Sequence, residues 1–213
     1  MCSLRITEIF YSLQGEGLSA GEPTVFVRLT GCPLRCAYCD TSYAFQGGEW
    51  MTLADIRQRI AEFDCRQICV TGGEPLAQPN CQALLRQLCD AGYTVSLETS
   101  GALDVGAVDS RVIKVMDLKT PGSGEVGRNR LQNLEYLAPT DQLKFVLCDR
   151  TDYEWARRMV EQHGLAQRCT LLFSPAAGQL DPRALAEWVL EDHLSVRLQL
   201  QLHKLIWGDT PGH

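Results

Sequence analysis

The feature that most constrains this fold is a repeated alternation, in which short β-branched runs are separated by stretches of helix length. TVFVRLTG (24–31), QICVTGG (67–73), YTVSLETSG (93–101), VIKVMDLK (112–119), QLKFVLC (142–148), CTLLF (169–173) and VRLQLQLH (196–203) give seven strand candidates. Between them, 53–63 repeats its apolar residues at three and four behind a Thr52/Asp55 capping box, and a helix from about Pro79 to Ala91 ends at Gly92. Thr151 and Glu154 open a helix that runs through His163 to Gly164, and Asp181-Pro182 starts another. Strands spaced this way form βαβ units in a mainly parallel sheet. A closed eight-stranded α/β barrel needs about 250 residues. The chain has 213 residues and no Pro/Gly-rich or charged linker, so it reads as one domain spanning 1–213. The expected fold is a partial, open barrel of TIM type. Functional groups gather at the carboxyl ends of the strands in such folds. Gly31-Cys32, Thr71-Gly72-Gly73, Glu98 to Gly101, Asp117-Leu118-Lys119 and His203-Lys204 all follow strand-like runs and should line one mouth.

The first of these motifs carries the strongest chemical signal. Cys32, Cys36 and Cys39 fall within GCPLRCAYCDT. Three converging thiolates are one too few to close a tetrahedral site, and soft sulfur ligands suit zinc, copper(I) or an iron-sulfur cluster. The spacing lacks the fourth cysteine of a ferredoxin-type cluster. An open metal site for catalysis is the simplest reading. Seven further cysteines, Cys2, Cys65, Cys69, Cys81, Cys89, Cys148 and Cys169, point to buried thiols rather than a disulfide framework; Cys65 and Cys69 have the i, i+4 spacing of a second cluster, but no third or fourth ligand stands beside them and they read as core residues.

Charge and hydropathy exclude several classes. The net charge is -6, so no phosphate-backbone footprint is expected and nucleic acid is not a direct partner. The amino-terminal segment lacks an apolar signal region, and no stretch reaches the roughly 20 apolar residues of a membrane span. A cytoplasmic location follows as an expectation.

The cysteine spacing resembles the signature of the radical S-adenosylmethionine (SAM) enzymes, with an aromatic residue, Tyr38, before the third cysteine. Gly72-Gly73-Glu74-Pro75 resembles the same family's second motif. SLQGEG (12–17), FVRLTGCPLRCAYCDT (26–41), VTGGEPL (70–76) and QLHKLIWG (201–208) narrow the resemblance to the 7-carboxy-7-deazaguanine synthase family, over nearly the whole chain.

That resemblance implies a lyase of queuosine and deazapurine biosynthesis that uses a 4Fe-4S cluster, SAM and Mg2+. It converts 6-carboxy-5,6,7,8-tetrahydropterin to 7-carboxy-7-deazaguanine with loss of ammonia. Cys32, Cys36 and Cys39 would hold the cluster in a loop after the first barrel strand, and Thr41 would ligate magnesium. Tyr38, Cys39, Asp40, Gly73, Asp117, Leu118 and Lys119 would meet SAM; only Lys119 of the last three matches the family's usual Ser-Pro-Lys. Leu13, Gln14, Gly15, Arg28, Thr71 and His203 would meet the pterin, with Arg28 on its carboxylate and Glu16 a further ring contact. Alternation along VRLQLQLH would aim His203 away from its neighbours.

Read from the residues alone, Arg28 could instead hold a nearby acid, and Thr41 could cap the next turn. The resemblance also implies a homodimer and a flavodoxin-type reductant. It leaves open whether Pro211 or the carboxylate of His213 closes the pocket. Two alternatives share the cysteine motif: a glycyl-radical activating enzyme acting on a protein, and a zinc-binding structural module with Asp40 as fourth ligand.

Overall fold

The computed structural model describes residues 2–208, 210 and 212, so Pro211 and His213 lie outside it. The strands are β1 (Ser3–Leu13), β2 (Pro23–Leu29), β3 (Glu49–Thr52), β4 (Gln67–Gly72), β5 (Thr94–Thr99), β6 (Ile113–Asp117), β7 (Gln142–Leu147), β8 (Thr170–Pro175) and β9 (Arg197–Leu198). They form one sheet in the order β3-β1-β2-β4-β5-β6-β7-β8-β9. From β2 to β9 every neighbouring pair is parallel, which recovers the seven expected strands. The sheet ends at β3 and β9 and does not close on itself, as an open barrel requires.

Two antiparallel strands, β1 and β3, extend this unit beyond what the sequence pattern suggested. β1 escapes a period-two reading because its register shifts between Ile6 and Glu8. Leu4 and Ile6 face the core before the shift, and Ile9 packs on the same core after it. The inserted residue moves the apolar positions from even to odd numbers.

The helices are α1 (Leu53–Ala61), α2 (Cys81–Asp90), α3 (Arg150–His163), α4 (Pro182–Glu191) and α5 (Leu202–Trp207). Thr52 and Asp55 form the expected capping box on α1. α2 starts two residues later than expected, after a 3-10 turn at Pro75–Ala77, and Gly92 follows it with φ +82°. The proposed Thr151/Glu154 cap is corrected to Asp149, whose carboxylate accepts from the Asp152 amide, while Glu154 pairs with Arg150. Asp149 wins because it alone takes the extended backbone of a cap position.

The carboxyl end of VRLQLQLH also departs from expectation. Only Arg197 and Leu198 pair with β8. The Leu202 amide donates to the Gly15 carbonyl at 2.9 Å, and the chain turns into α5, so His203 lies on a helix rather than at a strand end.

The outer face of the sheet is apolar and covered by helices. Val25, Val27, Leu29, Ile68, Val70, Val95 and Leu97 lie against Ile56 and Ile60 of α1 and Leu84, Leu85 and Leu88 of α2. Leu143, Phe145, Leu147, Leu171 and Phe173 meet Tyr153, Ala156 and Val160 of α3 and Leu185 of α4. Each buried Val, Leu, Ile or Phe among them contributes about 1.5–3 kcal/mol. The intervening residues point the other way. No helix among the described residues is long and apolar enough to cross a membrane.

Candidate active site

The inward-pointing residues Arg28, Thr71, Glu98, Asp117, Lys144 and Ser174 line a cavity of about 440 Å³ at the carboxyl edge of the parallel strands. Its wall includes every sequence-predicted site residue except Leu118: Leu13, Gln14, Gly15, Glu16, Arg28, Cys32, Cys36, Tyr38, Cys39, Asp40, Thr41, Thr71, Gly73, Asp117, Lys119 and His203. Leu118 is corrected to a core position. Its side chain is buried in the outer cluster, because the extended run continues past the end of β6, with the Leu118 amide on Lys144 O, and turns Asp117 and Lys119 to the cavity.

The cysteine loop leaves β2 through Gly31, whose φ of +99° suits glycine. The Gly-Gly turn after β4 is laced to it: the Gly73 amide donates to Leu29 O at 3.1 Å and the Glu74 amide to Gly31 O at 2.8 Å. A Cβ on Gly73 would stand 2.9 Å from the Cβ of Cys32, so only glycine permits this approach. From below, Ser123 O accepts the Ala37 amide at 3.0 Å and the Glu125 carboxylate accepts the Arg35 amide at 2.6 Å. Glu74 is fully buried and receives Thr99 Oγ1, the Ser100 amide and hydroxyl, and the Leu76 amide. Its carboxylate ties the ends of β4 and β5 together.

Cys32, Cys36 and Cys39 are free, half-buried thiols. Burial pushes the Cys32 and Cys36 thiols above their ordinary value. Holding all three as thiolates requires positive charge among them, which a metal cluster supplies. Two buried polar atoms on the same wall, Tyr38 Oη and Asp117 Oδ1, have no hydrogen-bond partner among the described residues. No three His, Cys, Asp or Glu side chains among the described residues are grouped to share one metal ion; three soft donors spread over one cavity wall, with unspent polar atoms beside them, suit a cluster in which each thiolate takes a different iron. Asp40 is not free to close a zinc shell: it accepts from Thr41 Oγ1 (2.8 Å) and Gln201 Nε2 (3.1 Å), with Lys204 Nζ at 3.4 Å. Burial raises its carboxyl, but the Thr41 hydroxyl, Lys204 and Gln201 outweigh that and hold it at about 2. Thr41 precedes the 3-10 turn Ser42–Phe45 without capping it through its side chain.

Charges on the inner wall are paired. Lys119 Nζ meets Asp117 Oδ2 at 2.9 Å and lies 5.7 Å from the Tyr38 ring centroid. Lys144 Nζ meets Glu16 Oε2 at 2.6 Å and Asp117 Oδ2 at 3.8 Å. Burial opposes both charged partners of the Lys144–Glu16 pair. Their mutual attraction outweighs it, holding Lys144 above and Glu16 below their ordinary values. Gln199 and Gln201 also donate to Glu16, so this carboxylate fastens the loop at 14–17 to the carboxyl-terminal segment. Gly15 packs against the His203 imidazole with no room for a side chain. On the next strands, Thr71 Oγ1 donates to Glu98 Oε2 at 2.7 Å and Gln14 Nε2 approaches Glu98 Oε1 at 3.4 Å. Arg28 Nε donates to Glu8 Oε1 at 2.7 Å, so it does hold a nearby acid while also facing the cavity.

Lys144, Glu8 and Tyr43 are site residues that the sequence pattern does not mark out, and Glu98 is marked only by its place at the mouth. A lysine inside the apolar run QLKFVLC was still a usable signal for an inward charge. The strand-end motif ETSG singled out Glu98 without a partner for it. Glu8 and Tyr43 carry no such mark.

Comparison with known proteins bears on this geometry. A model of the Radical SAM superfamily matches residues 26–117. The chain is 48% identical to the 7-carboxy-7-deazaguanine synthase of Chlorobaculum tepidum, over 96% of this chain and 94% of that protein. It is 44% identical to the synthase of the same name from Koribacter versatilis, over 98% and 100% of the two chains. The crystal structure of QueE from Escherichia coli shares the fold with a TM-score of 0.77 at 23% identity, over 94% and 95%.

Proposed function

Because the chain belongs to the 7-carboxy-7-deazaguanine synthases of the radical SAM superfamily, we propose that its cavity holds cluster, SAM and pterin together, through the residues described above. The chain is a radical SAM lyase that converts 6-carboxy-5,6,7,8-tetrahydropterin to 7-carboxy-7-deazaguanine and ammonia. The observation that carries the residue-level reading is one cavity lined by three free thiols and by the cation Arg28. Family membership displaces both the glycyl-radical activating enzyme and the zinc module.

Cys32, Cys36 and Cys39 hold the 4Fe-4S cluster. When bound, the cluster and SAM supply reversible hydrogen-atom transfer, which is chemistry no side chain here can perform. The Gly73 backbone, Asp117, Lys119, Tyr38 and the backbone of Cys39 and Asp40 seat SAM, and Leu118 takes part only through its backbone. Arg28 offers parallel N–H donors to the substrate carboxylate. Leu13, Gln14, Gly15, Thr71 and His203 edge the ring, whose alternating donors and acceptors suit amide and hydroxyl groups. Glu16 serves the roof of the cavity, through Lys144 and Gln201, rather than the ring. Thr41 offers magnesium one hard oxygen, which suits an ion that keeps most of its waters.

The protein's contribution is positioning and exclusion of water. A single domain, a homodimer and a flavodoxin-type reductant belong to the same reading. So does a cytoplasmic location, which the seven unpaired thiols besides the cluster ligands support. The test is anaerobic incubation of the reconstituted protein with SAM, dithionite, magnesium and carboxytetrahydropterin. Appearance of the deazaguanine by mass is the expected result. Cleavage of SAM with no such product overturns the substrate assignment.

A further inference from the structure

We propose that Glu8 is a positioning residue that fixes the guanidinium of Arg28 for the substrate carboxylate; this rests on the Arg28 reading above. The register shift in β1 decides which residue faces Arg28. Ile6 pairs with Leu29, and unbroken antiparallel pairing would then set Thr7 opposite Arg28 and turn Glu8 toward the core face. The shift instead sets Glu8 opposite Arg28. It swaps the faces of the strand: Leu4 and Ile6 lie in the core before it, whereas Phe10 lines the cavity after it. Bulges of this kind re-aim side chains beside active sites. The hydroxyls of Thr7 and Thr30, 2.7 Å apart, anchor this one.

The result is an arginine held on three sides. Glu8 Oε1 accepts Arg28 Nε at 2.7 Å and Tyr43 Oη at 2.7 Å. The guanidinium carbon stands 5.7 Å from the Phe10 centroid and 5.8 Å from that of Tyr43, and Phe10 is itself stacked on Phe26 at 4.9 Å. Glu8 takes the Nε–H of Arg28, which leaves the end-on pair of Nη groups as the edge for a bidentate carboxylate. Glu8 is absent from the cavity wall, so it acts on the substrate through Arg28. Tyr43 follows the cysteine loop by four residues, so the same carboxylate also ties that loop to the carboxylate-binding wall. An arginine freed of these contacts keeps its charge but spreads over several rotamers, at a cost to binding rather than to the chemical step.

The test is steady-state kinetics with carboxytetrahydropterin on the anaerobically reconstituted enzyme, with the cluster absorbance of each variant recorded alongside. Glu8→Leu is expected to raise KM about tenfold with kcat within about twofold, and Glu8→Gln, which keeps an acceptor, about threefold. In an Arg28→Ala background, Glu8→Leu should add less than about twofold, because the group it positions is gone. If the double variant shows the full product of the single effects, or if Glu8→Leu and Glu8→Gln lower kcat or cluster content with KM unchanged, the positioning role is wrong. If Arg28→Ala itself leaves KM unchanged, the carboxylate reading fails first. A KM raised by Arg28→Ala and untouched by both Glu8 variants sinks this inference alone.

Discussion

The two faces of the same parallel strands do opposite work. On the outer face Val27, Val70, Leu97 and Phe145 are buried among apolar neighbours, and an apolar side chain of similar volume would serve there. On the inner face, one residue away along each strand, Arg28, Thr71, Glu98 and Lys144 are each fixed by a named partner. Successive strand side chains point oppositely, so one backbone supports a tolerant face that provides stability and a specified face that provides chemistry. Damage to one face should therefore be separable from damage to the other.

The sharpest attempt to break that separation is Cys36→Ala. Cluster absorbance and turnover should both vanish, while the far-UV spectrum and the denaturation midpoint of the metal-free protein stay put; a collapsed apo fold would show the loop to be part of the core. Next in size is Arg28→Ala, for which kcat/KM with carboxytetrahydropterin should drop about a hundredfold or more with the cluster spectrum intact. On the outer face Leu97→Ala should cost about 3 kcal/mol in urea unfolding, with KM for SAM unchanged in the protein that remains folded.

The smallest effect concerns pH. Glu16 is held below its ordinary 4.5, so its pair with Lys144 contributes stability that is fully present above that value and is lost only as pH falls through the lower folded-state value. Limited proteolysis of the carboxyl-terminal segment should stay flat from neutral pH down to about 5 and rise only below it. Lys144→Met should bring that cleavage up to neutral pH.

Much of the outer face was legible in the sequence, because runs such as QICV and FVLC announce buried strands and Thr52 with Asp55 announces a helix start. The three thiols, Tyr38 and the Gly-Gly turn were legible for a different reason: ligand count and backbone clearance are local properties of the chain. What was not legible depends on partners distant in sequence. The shift in β1 hid that strand by breaking its alternation, and with it the pairing of Glu8 with Arg28, 20 residues away. His203 looked like a strand residue until the hydrogen bond from Leu202 to Gly15 drew the segment into α5. Lys144 and Glu16 stand 128 residues apart, and no local pattern predicts their contact.

A cluster on the inner face with one position left for SAM can be seen by electron paramagnetic resonance of the dithionite-reduced, anaerobically reconstituted protein. Spectra are recorded with and without SAM. The expected result is a reduced 4Fe-4S signal whose g values move when SAM is added, and which is lost in Cys36→Ala. A cluster signal indifferent to SAM, or one that survives that substitution, would contradict it.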